Sequence, residues 1–258
     1  MKESDNCVIK SVMKKLLLGC LILITACQSA TATPKIESIP IAATQTPPAP
    51  ATATETFAPT LTASAPPTPV PLFFTEEFNT DMGAWASFQT GGAESPAINL
   101  ENDSLRIDFS SPNTWYYAIH NAHEYSNVFV STKFLGTPSG SIGVVCDYSE
   151  SHGWYEFNLA SDGTYSVLLG QWLAQGIAQY TPIATDTTEY LQAGNFNYEV
   201  GLTCQENILL LHINGKLFRK LDVTRYGLTE GKIGITASSF EETPMIAVFD
   251  WIKVGKPE

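Results

Sequence analysis

From Leu72 to the C-terminus, apolar and polar residues alternate with a period of two, and turn residues interrupt the alternation at short intervals. This pattern marks half-buried β-strands, whose successive side chains point to opposite faces. Ile98 and Leu100 make one run, and after a turn at Asn102-Asp103 the run resumes as Leu105, Ile107 and Phe109. Val128 to Phe134, Ile142 to Tyr148, Tyr155 to Leu159 and Tyr165 to Leu169 follow. Further runs are Phe196 to Cys204, Ile208 to Ile213, Leu217 to Leu221, Ile233 to Ile235 and Ile246 to Val254. No helical period of useful length interrupts them. About a dozen short strands joined by hairpins predict two stacked antiparallel sheets.

The hairpin at Asp162-Gly163 has two candidate registers. A two-residue turn pairs Leu159 with Ser166 and mixes apolar and polar groups on each face. A three-residue turn, with Gly163 left-handed, pairs Leu159 with Tyr165, Phe157 with Val167 and Tyr155 with Leu169. The second gathers six apolar residues on one face and is the expected register. It leaves Trp154, Glu156, Asn158 and Ser166 on the opposite face, at intervals of about 6.5–7 Å. An aromatic ring, a carboxylate and an amide in a row suit a sugar ring and its hydroxyls, so this face is the candidate ligand site. In Trp115-Tyr116-Tyr117 and Trp154-Tyr155, adjacent aromatics must face opposite ways, so neither face there is ordinary solvent.

The N-terminal part has a different character. Lys14 and Lys15 precede an apolar run, Leu16 to Ala26, too short to span a bilayer as a helix but suited to a signal peptide. The run ends in Ile24-Thr25-Ala26-Cys27, which resembles the lipobox of bacterial lipoproteins. That resemblance implies diacylglyceryl transfer to Cys27 and cleavage before it. Met13 would itself make a compact start. Residues 27–71 are rich in Thr, Pro and Ala and have little to bury, so a disordered stalk is expected, with O-glycosylation of its threonines allowed. Three parts follow: a signal peptide over 1–26, a linker over 27–71 and one domain over 72–258. The expected location is the cell envelope, with lipid holding the chain to the outer face of the cytoplasmic membrane or to the outer membrane.

The formal net charge of −12 argues against nucleic acid and anionic lipid surfaces as partners. Cys146 and Cys204 are the two cysteines of an exported domain, and both share parity with apolar neighbours. A disulfide between them is expected. The four histidines show no paired metal-ligand spacing.

Several segments resemble concanavalin A-like lectin/glucanase domains, including LamG-like jelly rolls, of bacterial lipoproteins. They are Phe73-Phe74-Thr75-Glu76-Glu77-Phe78 followed by Gly83 and Trp85, Gly143-Val144-Val145-Cys146-Asp147-Tyr148, and Trp154-Tyr155-Glu156-Phe157-Asn158-Leu159 before Ser161-Asp162-Gly163-Thr164-Tyr165. Ile213-Asn214-Gly215 and the closing Val248-Phe249-Asp250-Trp251-Ile252-Lys253-Val254 complete the set. The resemblance implies a jelly-roll β-sandwich that binds carbohydrate as a monomeric domain. A protein-interaction or structural envelope module is the alternative, and a glycoside hydrolase a more distant one. It also implies a structural calcium ion, with Glu76, Glu77 and Asp250 as oxygen ligands; no other cofactor is expected. Glycosidases of this fold carry an E-x-D-x-x-E strand, and here only Glu156 matches, because Asn158 and Ser161 replace the other two acids. Retaining hydrolysis needs two close carboxyls, so a non-catalytic domain is expected.

Overall fold

A computed structural model describes residues 70–137 and 139–257. Cys27, the leader and nearly all of the linker lie outside the described residues. Among the described residues there are fifteen strands, and no helix is long and apolar enough to cross a membrane.

The strands form two antiparallel sheets. The first sheet contains β1 (Phe74–Glu76), β3 (Ala97–Leu100), β4 (Leu105–Phe109), β6 (Asn127–Gly136), β11 (Asn197–Gln205), β12 (Ile208–Ile213), β13 (Lys216–Asp222) and β15 (Met245–Gly255). Its order is β13-β12-β11-β6-β15-β4-β3, with β1 paired to β15. The second contains β2 (Trp85–Gly91), β5 (Thr114–His120), β7 (Gly140–Ser149), β8 (Gly153–Ala160), β9 (Thr164–Ala174), β10 (Ile177–Thr187) and β14 (Lys232–Ser239). Its order is β10-β9-β8-β7-β14-β5-β2. Strands consecutive in sequence either pair in one sheet or pass to the other, and the result is the two-sheet sandwich that the alternation predicts, with the jelly-roll form that the resemblance implies.

The main core lies between the sheets. Val144, Tyr155, Phe157, Leu159, Tyr165 and Val167 of the second sheet meet Val130, Phe134, Val200, Leu202 and Phe249 of the first. Each strand contributes every second residue, which is why period-two runs fold this way. Cys146 on β7 and Cys204 on β11 are joined by a disulfide with a Cα–Cα distance of 6.5 Å, which ties one sheet to the other.

The β8–β9 hairpin has the three-residue register. Leu159 pairs with Tyr165, Phe157 with Val167 and Tyr155 with Leu169. Gly163 closes the turn at φ 87°, a conformation that β-carbon-bearing residues disfavour. Asp162 Oδ1 accepts from Thr164 N at 2.9 Å and from Thr164 Oγ1 at 2.7 Å, which fixes the turn's exit.

Glu76, Glu77 and Asp250 do not converge. Glu76 Oε1 accepts from Phe78 N at 2.9 Å, while Glu77 and Asp250 are exposed. Among the described residues, the group that does bring potential ligand atoms together is Cys146, Asp147 and Cys204, and its two sulfurs are already spent on the disulfide. β1 pairs along β15 and places Glu76 opposite Ile252, with its carboxylate turned back on its own backbone.

Candidate functional site

The second sheet has a second apolar layer on the face away from the core. Tyr117, Ile119, Val145, Tyr148 and Trp154 are buried there, with Phe88, Trp115, Trp172 and Tyr180 packed against them. The cause is curvature. Strands β2 and β10 are the two edges of this sheet, with five strands between them, yet Thr90 Oγ1 and Tyr180 OH lie 2.6 Å apart. Phe88 of β2 meets Trp172 of β9 edge to face at 4.9 Å and stacks on Tyr117 of β5 at 4.5 Å. The sheet is therefore curled into a trough whose middle is filled with aromatic rings.

The parity expected for Trp154, Glu156, Asn158 and Ser166 holds, since all four lie on this trough face. Their expected exposure does not hold. Trp154 and Glu156 are fully buried and Asn158 is 5% exposed; Ser166 is half-buried. Trp154 is thus not a sugar platform open to solvent. Its indole lies under Phe88, Tyr117 and Trp172, at 5.5, 5.3 and 5.2 Å. Gly170, its cross-strand partner, makes room for it: a β-carbon there would collide with the indole. Gly143 does the same for the Asn158 amide.

Glu156 is the centre of a buried polar chain. Trp154 Nε1 donates to Oε2 and Asn158 Nδ2 to Oε1, both at 2.9 Å. The Tyr117 and Tyr180 hydroxyls lie 3.0 Å apart, and Tyr180 in turn meets Thr90. Burial pushes the Glu156 carboxyl up, while hydrogen bonds from Trp154, Tyr117 and Asn158 pull against it. Tyr117 is raised well above its ordinary value, by burial first and by the Glu156 charge second. The same two causes push Tyr180 up to about 12.

The trough opens at one end. There a cavity of about 720 Å³ lies between the turn after β7 and the tip of the β9–β10 hairpin. Phe88, Tyr148 and Trp172 form its aromatic side, and Gln89, Glu150 and Gln175 its polar side. Gln89 Nε2 donates to the carbonyls of Gly91 and Glu94 at 3.0 and 3.3 Å, while its Oε1 is buried without a donor. No charged residue occurs between Gly163 and Thr185, so the whole β9–β10 wall of this mouth is neutral. Period-two reasoning singles out only Tyr148 among the mouth residues, and on the core parity; the irregularity after Cys146 in β7 turns it to the trough face instead. The uncharged stretch, rich in Gln and interrupted by Trp172 and Tyr180, was the signal available for them.

No known protein family matches the sequence, and no curated protein matches it. The fold, in contrast, is well represented among solved structures. The β-glucanase of Bacillus licheniformis is 15% identical over 72% of this chain and 98% of its own, with a TM-score of 0.50. A Bacillus subtilis protein of galectin-like fold is 14% identical over 71% and 94%, with a TM-score of 0.52. A family 16 glycoside hydrolase, an endo-glucanase of Bacteroides ovatus, is 9% identical over 70% and 99%, with a TM-score of 0.50. At these identities the likeness is one of fold alone, a two-sheet jelly-roll sandwich. It also corrects the expectation of a non-catalytic domain. That expectation rested on the acids missing at positions 158 and 161, but several of the matched structures are glycoside hydrolases that this chain matches along nearly their whole length. Hydrolysis therefore belongs among the activities to assay.

Proposed function

We propose that the chain is a lipid-anchored envelope protein, held through Cys27, whose β-sandwich recognises a neutral carbohydrate at the open end of the trough. The observation that carries the reading is the mouth itself. Phe88, Tyr148 and Trp172 line it with aromatic rings, of which Phe88 and Trp172 are half-buried, while Glu150 and Gln175 offer donors and acceptors for hydroxyls. Ligand pockets are commonly of this kind, mostly apolar with a few converging polar groups. The fold's occurrence in glucanases supports glucans as the first ligands to try.

The test is a titration of the full-length chain against soluble glucans by calorimetry, with reducing-end release followed in the same samples. Binding with or without hydrolysis supports the reading, and the release assay says which of the two occurs. No heat with any neutral glycan, alongside a folded protein, removes it. The anchor is tested separately: Cys27→Ser is expected to leave the detergent phase of a Triton X-114 partition. A variant that partitions as wild type does removes the anchor.

A further inference from the structure

The trough face of the second sheet is occupied along its length. Phe88, Tyr117 and Trp154 are packed ring on ring, and the Thr90–Tyr180 contact joins the two sheet edges across them. Further along the same face Ser141, Asn158, Thr236 and Ser238 are buried too. A polysaccharide cannot run through this trough, because side chains already fill the path. The bay at its open end lies beside this aromatic block and shares Phe88 and Trp172 with it.

We infer that the bay takes the end of a neutral glycan chain, not a stretch within one. The inference rests on the carbohydrate reading above and narrows it. Phe88 and Trp172 pack on Trp154, so a chain that reaches them from the bay has no path onward into the trough, and only its last few sugars are held. Charge selects in the same direction. The residues lining the bay include no Lys, Arg or His, and the one ionised group among them is the exposed carboxylate of Glu150. A uronate or sulfate placed there would lose hydration, find no cation and meet a protein of net charge −12. Neutral hydroxyls, in contrast, match the exposed amide of Gln175.

The experiment is calorimetry of the full-length chain against three neutral ladders, cello-, laminari- and malto-oligosaccharides from disaccharide to hexasaccharide. The parent polymers and oligogalacturonides complete the set. The expected result is an affinity already reached at the di- or trisaccharide, unchanged on lengthening, with one protein bound per polymer chain. Gln175→Ala, at an exposed turn position, is expected to weaken that binding by on the order of fivefold with an unchanged circular dichroism spectrum. An affinity that climbs with every added sugar, or several proteins bound per chain, overturns end recognition and leaves the carbohydrate reading standing. Oligogalacturonides bound as tightly as the neutral ladders overturn the charge selection. Wild-type affinity in both Gln175→Ala and Trp172→Phe moves the site away from the bay. Silence from every ladder overturns this inference and the carbohydrate reading together.

Discussion

The hydroxyl of Thr90 lies 2.6 Å from that of Tyr180, although the two residues stand on opposite edge strands of one sheet. The contact is the polar end of the chain that runs through Tyr117 to Glu156. It closes the sheet over its own aromatic layer. Tyr180→Phe keeps the ring and removes the hydroxyl. It leaves Thr90, which is 4% exposed, short of a partner, and should cost about 1–2 kcal/mol. Because the edges are then less firmly joined, acrylamide should quench tryptophan fluorescence more strongly than in wild type. Unchanged stability and quenching would show that ring packing alone holds the trough shut.

Trp154 and Trp172 separate structure from recognition. Trp154 is fully buried, and Trp154→Ala should cost about 3–5 kcal/mol, the usual range for emptying a buried aromatic site. Trp172 is half-exposed at the mouth, so Trp172→Ala should destabilise less in urea while weakening glycan binding more. The reverse ordering in the two assays would place recognition on the β8 face and not at the mouth.

These assignments show what alternation reports and what it leaves out. The pairing of Leu159 with Tyr165 was legible because only one register puts six apolar residues on one side. The parity of Trp154, Glu156 and Asn158 was legible for the same reason. Their burial was not, because parity names a face and says nothing of what covers it. The cover is Phe88 and Tyr180, on strands β2 and β10, which the alternation did not reveal. In β10 Pro182 interrupts the run, and in β2 the two large apolar residues, Trp85 and Phe88, stand on opposite parities and make no period-two run. The curl that brings these edges together is a property of the whole sheet. Its local traces are glycines facing large groups, Gly170 under Trp154 and Gly143 under Asn158.

The Cys146–Cys204 bond closes a loop over a sequence separation of 58 and joins the two sheets through the core. Replacing both cysteines by alanine should lower stability by roughly 2–4 kcal/mol, mainly by freeing the unfolded chain. Urea denaturation of oxidised wild type, reduced wild type and the double variant checks this. The two proteins lacking the bond should have similar midpoints, both below that of the oxidised protein. Equal midpoints for all three would mean that the core holds the sheets together without it.

Asp147 gives the fold a pH dependence of definite sign. It follows Cys146 at an irregularity in β7, with φ 51° and only 3% exposure. Burial first, and the Glu230 charge second, push its carboxyl up to about 7. A raised folded-state pKa means that the fold prefers the protonated acid. Its contribution is full below the ordinary pKa of 3.8 and is lost as pH rises through about 7. His120 acts in the opposite sense: its imidazole is pushed down to about 4 by burial and by His123, so the fold loses stability as pH falls through that range. The difference between Asp147→Asn and wild type cancels His120 and isolates the carboxyl. Asparagine tolerates the left-handed backbone and carries no charge. The variant should therefore gain on wild type between pH 4 and pH 8, by at most roughly 2–4 kcal/mol. Urea midpoints across that interval measure the gain. Parallel pH profiles for the two proteins would mean that Asp147 ionises at its ordinary pKa and that Glu230 exerts no pressure on it.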